Sequence, residues 1–403
     1  MTKIIRKTIW MGTILFGLTS SIAVVPAQAV TKGEASIAKR SAKVYLQSRQ
    51  YDKALEQYLI TVEGRPDDLE AHYNIGAIYS RKEHYDEMNK HFEVIEKSPK
   101  GKKWMKQVEA ERIELWRQHY NIGVQALNAQ KHDFAIEQFN TAIKVNTKKA
   151  DAYEGLGITY LQSDRIEEGI QAYREAIKRN PKKAQSYYNL SIPLTNQGTL
   201  ESQKEALDLL KKGHELEPKN LDILQQMALL SNRQGDNEAA GEAAEKALAV
   251  DPKNPTVLNI AAQIFLTAQN FEKSASILEK VLELNPEDEN AAFNLAIAYN
   301  KMGKPDKAVA LYQKSVDANP NDGDAWYQLG DVHTKLENFE KAIAAYVKVT
   351  ELQPANYRAW GALSRVYAKK SESVTGKEAS DAVKKATEAY QMFEELKKQQ
   401  GNE

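Results

Sequence analysis

An aromatic residue followed directly by an amide residue recurs along this chain of 403 residues. An asparagine amide carries two hydrogen-bond donors and an acceptor, so it can bind both the C=O and the N–H of a peptide backbone. The pairs are Tyr73 and Asn74, Tyr120 and Asn121, Tyr188 and Asn189, Phe293 and Asn294, and Tyr327 and Gln328. A row of such amides would bind an extended chain with little regard to its sequence. The row is broken, because Gly155, Gln226 and Ile260 occupy the matching positions.

Residue patterns that would support catalysis are missing from the sequence. It has no Cys, which excludes thiol nucleophiles and thiolate metal sites, and its seven His are scattered. It contains no H-E-x-x-H motif, no Gly-rich phosphate loop and no nucleophile elbow. The glycines of "GLGITYLQS" (155–163) fall inside a helical pattern rather than after a strand. We therefore expect no metal, no cofactor and no enzymatic activity, the alternative being an enzyme with an unfamiliar site.

The charge balance gives no reason to expect a nucleic-acid partner. Lys plus Arg number 55 and Asp plus Glu number 55, so the formal net charge is zero. A nucleic-acid-binding chain usually carries an excess of positive charge. We expect protein partners instead.

A repeat of 34 residues supplies the elements that position the amides. Pro252, Pro286, Pro320 and Pro354 lie 34 residues apart. In most units a small residue is followed four positions later by an aromatic residue or Leu, as in Ala342 and Tyr346. Small residues let two helices approach closely, aromatic rings fill the space beside them, and proline ends the second helix. Each unit must stack on its neighbours to bury its apolar face.

This pattern resembles the tetratricopeptide repeat over 35–356. The resemblance implies an all-α fold, a right-handed superhelical solenoid of about ten helix-turn-helix units. It also implies that the first helices line a concave groove in which partner peptides or helices bind, and that the aromatic–amide pairs lie in this groove. The alternative is that the pairs follow the family's structural consensus and bind nothing.

Departures from the repeat define the expected organisation. We expect an N-terminal repeat pair at 35–102, an insertion or extended helix at 103–115, a repeat array at 116–356, and an irregular unit with a capping helix at 357–398. A loop, "SESVTGK" (371–377), is expected before the capping helix. The lysines of 97–106 favour either contact with an anionic surface or a solvated linker with Trp104 packed against the array.

The N-terminus resembles a secretory leader. Lys3, Arg6 and Lys7 precede an apolar run of 17 residues, and Ala27 and Ala29 flank Gln28 as at a signal-peptidase site. We interpret 1–29 as a cleaved signal peptide, which predicts a periplasmic or secreted protein of bacterial type. The alternative is an uncleaved membrane anchor, although a spanning helix needs about 20 mostly apolar residues.

Together these features predict a non-catalytic interaction scaffold in the periplasm or cell envelope, which binds a peptide or helix of a partner in its concave groove. The alternative is an accessory subunit of an envelope polysaccharide or secretion machine, associated peripherally with a membrane complex. That alternative predicts co-fractionation with membranes.

Overall fold

The computed structural model describes residues 29–400, and these residues form α-helices without any strand. Twenty helices follow one another as ten consecutive pairs. The predicted all-α solenoid class is thereby confirmed. The predicted leader lies outside the described residues, apart from Ala29. Among the described residues, no helix combines the length and the apolar character needed to cross a membrane.

The chain divides into two compact units. The first comprises the residues up to 121 together with 141–147, and the second comprises 122–140 together with the residues from 148 onward. The first unit contains four complete helices, α1 (Lys32–Gln47), α2 (Tyr51–Gly64), α3 (Leu69–Arg81) and α4 (Tyr85–Lys97). Helices α5 (Lys102–Asn128) and α6 (His132–Val145) contribute residues to both units.

The second unit contains fourteen complete helices. Seven are the first helices of their pairs, namely α7 (Ala150–Gln162), α9 (Ala184–Gln197), α11 (Leu221–Arg233), α13 (Pro255–Thr267), α15 (Glu289–Lys301), α17 (Gly323–Lys335) and α19 (Tyr357–Ser373). Seven are the second helices, namely α8 (Ile166–Arg179), α10 (Leu200–Leu216), α12 (Asn237–Val250), α14 (Phe271–Leu284), α16 (Pro305–Ala318), α18 (Phe339–Leu352) and α20 (Gly376–Gln400).

A proline followed two positions later by Asp or Asn separates the pairs at six of the nine boundaries between successive described pairs. Pro320 lies one residue beyond the C-cap of α16, where it cannot continue the helix. Asp322 then caps α17, because its carboxylate accepts hydrogen bonds from the backbone N–H groups of Asp324 and Ala325. The same arrangement places Asp288 before α15 and Asn356 before α19. One short sequence motif therefore ends one helix and starts the next.

Glycine at the helix crossings gives the close approach that the repeat predicts. A Cβ atom on Gly330 would lie 2.8 Å from Cε1 of Tyr346, and one on Gly157 would lie 2.8 Å from Cε2 of Tyr173. The aromatic rings of the second helices therefore rest directly on the glycines of the first helices. These rings are almost fully buried, Tyr346 being 3% exposed and Tyr173 2% exposed.

Two local expectations require correction. The loop predicted at 371–377 is much shorter, because α19 continues to Ser373 and α20 begins at Gly376. The hydroxyls of Ser371 and Ser373 donate to backbone carbonyls three residues earlier, so these serines remain within the last turn of α19. Pro193 lacks a backbone N–H and is expected from the sequence to interrupt the first helix of its repeat, but α9 continues through it from Ala184 to Gln197.

Candidate functional site

The first helices of the second unit form a layer of their own. Helix α11 contacts α9 and α13, and α15 contacts α13 and α17, in addition to their contacts with second helices. Among α7 to α20, the structure records no comparable contact between successive second helices. The solvent-facing residues of α9 to α17 therefore lie next to one another on one continuous surface, which we call the first-helix surface.

The predicted amides of the second unit occupy one repeat position on this surface. Asn189 lies on α9, Asn294 on α15 and Gln328 on α17, and each is half-buried. The interrupting residues Gln226 and Ile260 occupy the same position on α11 and α13 and are also half-buried. Each of these side chains is thus accessible from solvent at one edge.

The aromatic members of the pairs have a different role from the amides. Phe293 packs edge-to-face on Tyr312 with ring centroids 5.6 Å apart, and Tyr327 packs in the same way on Tyr346 at 5.4 Å. Tyr188 packs against the buried core formed by α8 to α11. These contacts join the two helices of a repeat, so the rings stabilise the hairpins while the amides face solvent.

The hydrogen bonds of the amides differ between positions. In the second unit, Nε2 of Gln185 donates to Oδ1 of Asn189 at 2.8 Å, and no described residue accepts a hydrogen bond from Nδ2 of Asn189. In the first unit, Nδ2 of Asn74 donates to the carbonyl oxygen of Glu70 at 2.8 Å. The donor group of Asn189 is therefore not used by a described residue, whereas Asn74 uses one N–H within its own helix.

The remaining predicted pairs lie in the first unit. Tyr73 stacks on Trp104 with ring centroids 5.3 Å apart, and Tyr120 stacks on Trp116 at 4.8 Å. Asn121 is exposed. Here too the rings of the pairs pack against other aromatic rings.

An aliphatic residue lies three positions after the amide position on several first helices, and the sequence reasoning missed this row. Its members are Ile158 on α7, Ile192 on α9, Leu229 on α11 and Ile297 on α15. Leu229 is 43% exposed and Ile158 36% exposed, so both side chains are open to solvent. The signal was available, because the aliphatic residue recurs at a fixed offset within the repeat. We call these four residues the aliphatic row.

Two histidines of the first unit form a buried polar pair. Nε2 of His72 lies 3.0 Å from the carbonyl oxygen of Pro66, so Nε2 carries the hydrogen, and Nδ1 accepts from Nδ1 of His91 at 2.9 Å. Burial, together with the neighbouring His72, lowers the pKa of His91 to about 4. Burial also lowers the pKa of His72. Both rings are therefore neutral near pH 7 and act as packing groups.

The described residues contain no group of three or more His, Asp or Glu side chains placed to hold a metal ion. The hydroxyl of the buried Tyr58 has no hydrogen-bond partner among the described residues. Burial raises the pKa of Tyr58 to about 12 and raises the pKa of Tyr173 further still. These hydroxyls remain protonated and fit a packing role.

Comparison with protein families identifies the repeat. A family model described as "Tetratricopeptide repeat" matches 40–94, 120–202, 227–289 and 327–393, which together exceed half of the chain. A second model, described as "Anaphase-promoting complex, cyclosome, subunit 3", matches 267–349. A search of curated proteins found no match.

Several solved structures resemble the chain. The C-terminal part of a TPR repeat-containing protein from Cytophaga hutchinsonii superposes with a TM-score of 0.51 at 19% identity and covers 60% of this chain and 99% of that one. A tetratricopeptide repeat protein from Parabacteroides merdae superposes with a TM-score of 0.45 at 18% identity, over 61% of this chain and 96% of that one. YrrB, described as a TPR protein with an unusual peptide-binding site, has a TM-score of 0.38 at 22% identity, over 47% of this chain and 97% of that one. The first of these supports the fold alone.

Proposed function

Because the chain belongs to the tetratricopeptide repeat family, we propose that it is a non-catalytic scaffold that holds a segment of a protein partner against its first-helix surface. Proteins of this family generally act as interaction scaffolds. The observation that carries the proposal is that the adjacent first helices α9 and α11 each present an amide and an aliphatic side chain to solvent, namely Asn189 with Ile192 and Gln226 with Leu229.

The chemistry of this surface indicates which kind of segment fits. On α7, α9, α11 and α13, neither the amide position nor the position three residues later carries a charged residue. Amides bind backbone C=O and N–H groups, and exposed aliphatic side chains gain about 25 cal/mol for each Å² of apolar area that a partner covers. The surface therefore suits an uncharged segment that presents apolar side chains.

We further propose that the scaffold works in the periplasm or cell envelope of a bacterium. The leader-like pattern at 1–29 supports this location. Within this proposal, the alternative role is that of an accessory subunit of an envelope polysaccharide or secretion machine on a membrane complex. Co-fractionation with membranes in the host would favour that role.

A cross-linked pull-down from the envelope fraction of the host tests the proposed function. The test bait carries Asn189→Ala and Asn294→Ala on first helices, and the matched control carries Gln171→Ala and Gln313→Ala, two exposed amides on the second helices α8 and α16. Each lost hydrogen bond costs about 0.5–1.5 kcal/mol, so capture by the test bait should fall at least about fivefold.

The control bait should capture the same partner as the wild-type chain. Equal capture by both variants would mean that the partner binds elsewhere, and the first-helix surface would then be abandoned as the binding site.

A further inference from the structure

The turn between α4 and α5 and the first residues of α5 carry four exposed lysines that form no ion pair with a described carboxylate. We call Lys100, Lys102, Lys103 and Lys106 the lysine turn; none of them forms an ion pair with a residue that the structure describes. Other lysines of the same unit do pair with carboxylates, namely Lys39, Lys43, Lys82, Lys90 and Lys97. The lysine turn is therefore a local excess of positive charge in a chain with no net charge.

The backbone under the lysine turn is held in one conformation. Gly101 is buried, and a Cβ atom at this position would collide with the carbonyl oxygen of Ile95. The N–H of Gly101 donates to the carbonyl oxygen of Ser98 at 2.8 Å, and the N–H of Trp104 donates to the carbonyl oxygen of Gly101 at 2.7 Å. The lysines therefore lie on a tight turn of fixed conformation and on the first turns of α5.

The opposite face of this segment is anchored in the core. Trp104 stacks on Tyr73, and Val108 is 1% exposed within the cluster that contains Phe92 and Ile95. The start of α5 is therefore amphipathic, with its apolar side buried and its lysines in water. The aromatic ring that the sequence places among the lysines is already used for packing.

None of the nearby described carboxylates forms an ion pair with the lysines of the lysine turn. Glu93 pairs with Lys97 at 2.9 Å, Glu96 pairs with Arg112 at 2.5 Å, and Glu111 accepts a hydrogen bond from Ser80 at 2.6 Å. Within 97–110, Glu109 is the one acidic residue, and it forms no ion pair with a described residue. Lysines at a helix N-terminus also oppose the helix dipole, so they do not stabilise α5.

From this arrangement we propose that the lysine turn binds the anionic phospholipid headgroups of a membrane surface. Arginine recognises a single phosphate with a planar guanidinium group that donates two hydrogen bonds at once, whereas a lysine ammonium is a compact point charge. A cluster that contains only lysines therefore fits a surface on which negative charge is spread out. Stretch 97–106 has no arginine, and Trp104 is not available to stack on a base. Lysine is depleted at protein–protein interfaces, which disfavours an acidic protein partner. This proposal concerns a different surface from the proposed function and does not rest on it.

Vesicle co-sedimentation of the full chain tests the proposal. The test variant carries K100Q, K102Q, K103Q and K106Q, and the control carries K204Q, K211Q, K212Q and K219Q, four exposed lysines on and after α10 that lie among Glu201, Glu205 and Glu215. Both variants change the net charge equally and keep the same N-terminal segment. The vesicles contain phosphatidylcholine alone or phosphatidylcholine mixed with phosphatidylglycerol.

Wild-type chain and the control variant should bind the phosphatidylglycerol vesicles more tightly than phosphatidylcholine vesicles, and added salt should weaken this preference. Each lysine near an anionic surface contributes about 1 kcal/mol, so the test variant should lose at least about tenfold in partition coefficient. A wild-type chain that shows no preference for phosphatidylglycerol, or an equal loss in both variants, would overturn the proposal. Retention on polyphosphate without vesicle binding would also overturn it, and would indicate a soluble polyanion instead.

Discussion

At the scale of single residues, the contact between a glycine and an aromatic ring decides how closely the two helices of a repeat pack. Gly330 and Tyr346 make this contact in one repeat, and Gly157 and Tyr173 make it in another. Where Ser364 replaces the glycine, its hydroxyl donates to the carbonyl oxygen of Ala386 instead. At the crossings of Gly330 and Gly157 there is no space for even one added methylene group.

Substitution of Gly330 by leucine tests this contact. The new side chain would collide with Tyr346 and should lower the free energy of unfolding by about 1–3 kcal/mol through overpacking. Urea melts followed by far-UV circular dichroism measure the loss. In the double variant Gly330→Leu with Tyr346→Ala the loss should be smaller than the sum of the single losses, because the missing ring leaves room. Strict additivity would mean that the two residues do not touch.

The neutral pair His72 and His91 makes the stability of the first unit sensitive to acid. The pKa of His91 lies at about 4 in the folded protein, whereas an unperturbed histidine has a pKa of about 6.5. The unfolded chain therefore binds more protons between these values, and the free energy of unfolding falls as the pH is lowered from about 6.5 toward 4. The loss is at most about 3 kcal/mol.

Urea unfolding at several pH values between 7 and 4 checks this expectation, using wild type, His91→Gln and the exposed-residue control His84→Gln. A glutamine amide can still donate to His72, so His91→Gln should reduce the loss of stability in acid, whereas His84→Gln should not. An unchanged pH dependence in His91→Gln would show that other groups cause the acid sensitivity.

Sequence reasoning identified the small residues at the crossings but did not separate the roles within the aromatic–amide pairs. Gly157 and Tyr173 follow the repeat pattern directly, so their contact could be predicted. The packing of Phe293 on Tyr312 and the exposure of Leu229 depend on which side of a first helix faces its neighbours. The rotation of a first helix about its own axis follows from tertiary packing. The residue type at a single position does not specify this rotation.

At the scale of secondary-structure elements, the turn within each pair requires a left-handed backbone residue. Glycine fills this position at Gly198, Gly235 and Gly303, where φ is 74°, 76° and 72°. Other residues fill it in further repeats, including Gln269 at φ 59° and Glu337 at φ 56°. A residue with a Cβ atom is strained in this conformation by about 1–2 kcal/mol.

Replacing Gln269 or Glu337 by glycine should therefore stabilise the protein by about 0.5–1 kcal/mol, since the relief of strain exceeds the added entropy of the unfolded chain. The reverse change, Gly303→Ala, should destabilise it by a similar amount. Thermal and urea unfolding of the three variants measure these effects. Stabilisation by Gly303→Ala would contradict the left-handed assignment.

The sequence marks the ends and starts of helices clearly where the proline motif occurs. It marks them less clearly at other boundaries. The start of α17 follows from Pro320 and Asp322, because one residue cannot continue a helix and the other caps the next. The end of α19 carries no such marker. The hydroxyls of its last serines donate hydrogen bonds to backbone carbonyls of the preceding turn. Their polar composition therefore indicated a loop where the helix continues.

At the scale of the whole molecule, the contacts between successive helix pairs determine stability and also form the surface proposed to bind a partner. Within the second unit, each helix packs mainly on its neighbours in sequence, and first helices also contact first helices. Repetition therefore places an amide and an aliphatic side chain side by side on α9, α11 and α15 of the first-helix surface. A partner segment that spans several repeats would gain from each of them in turn.

Site-specific photo-cross-linking in the host tests most directly whether a partner lies on this surface. A photoreactive amino acid replaces Leu229, which is 43% exposed on the first helix α11, or Leu284, which is 52% exposed on the second helix α14. Both positions are exposed leucines, so the two replacements should perturb the fold equally little. We expect a defined protein adduct from position 229 and none from position 284. An adduct from position 284 alone would contradict binding on the first-helix surface.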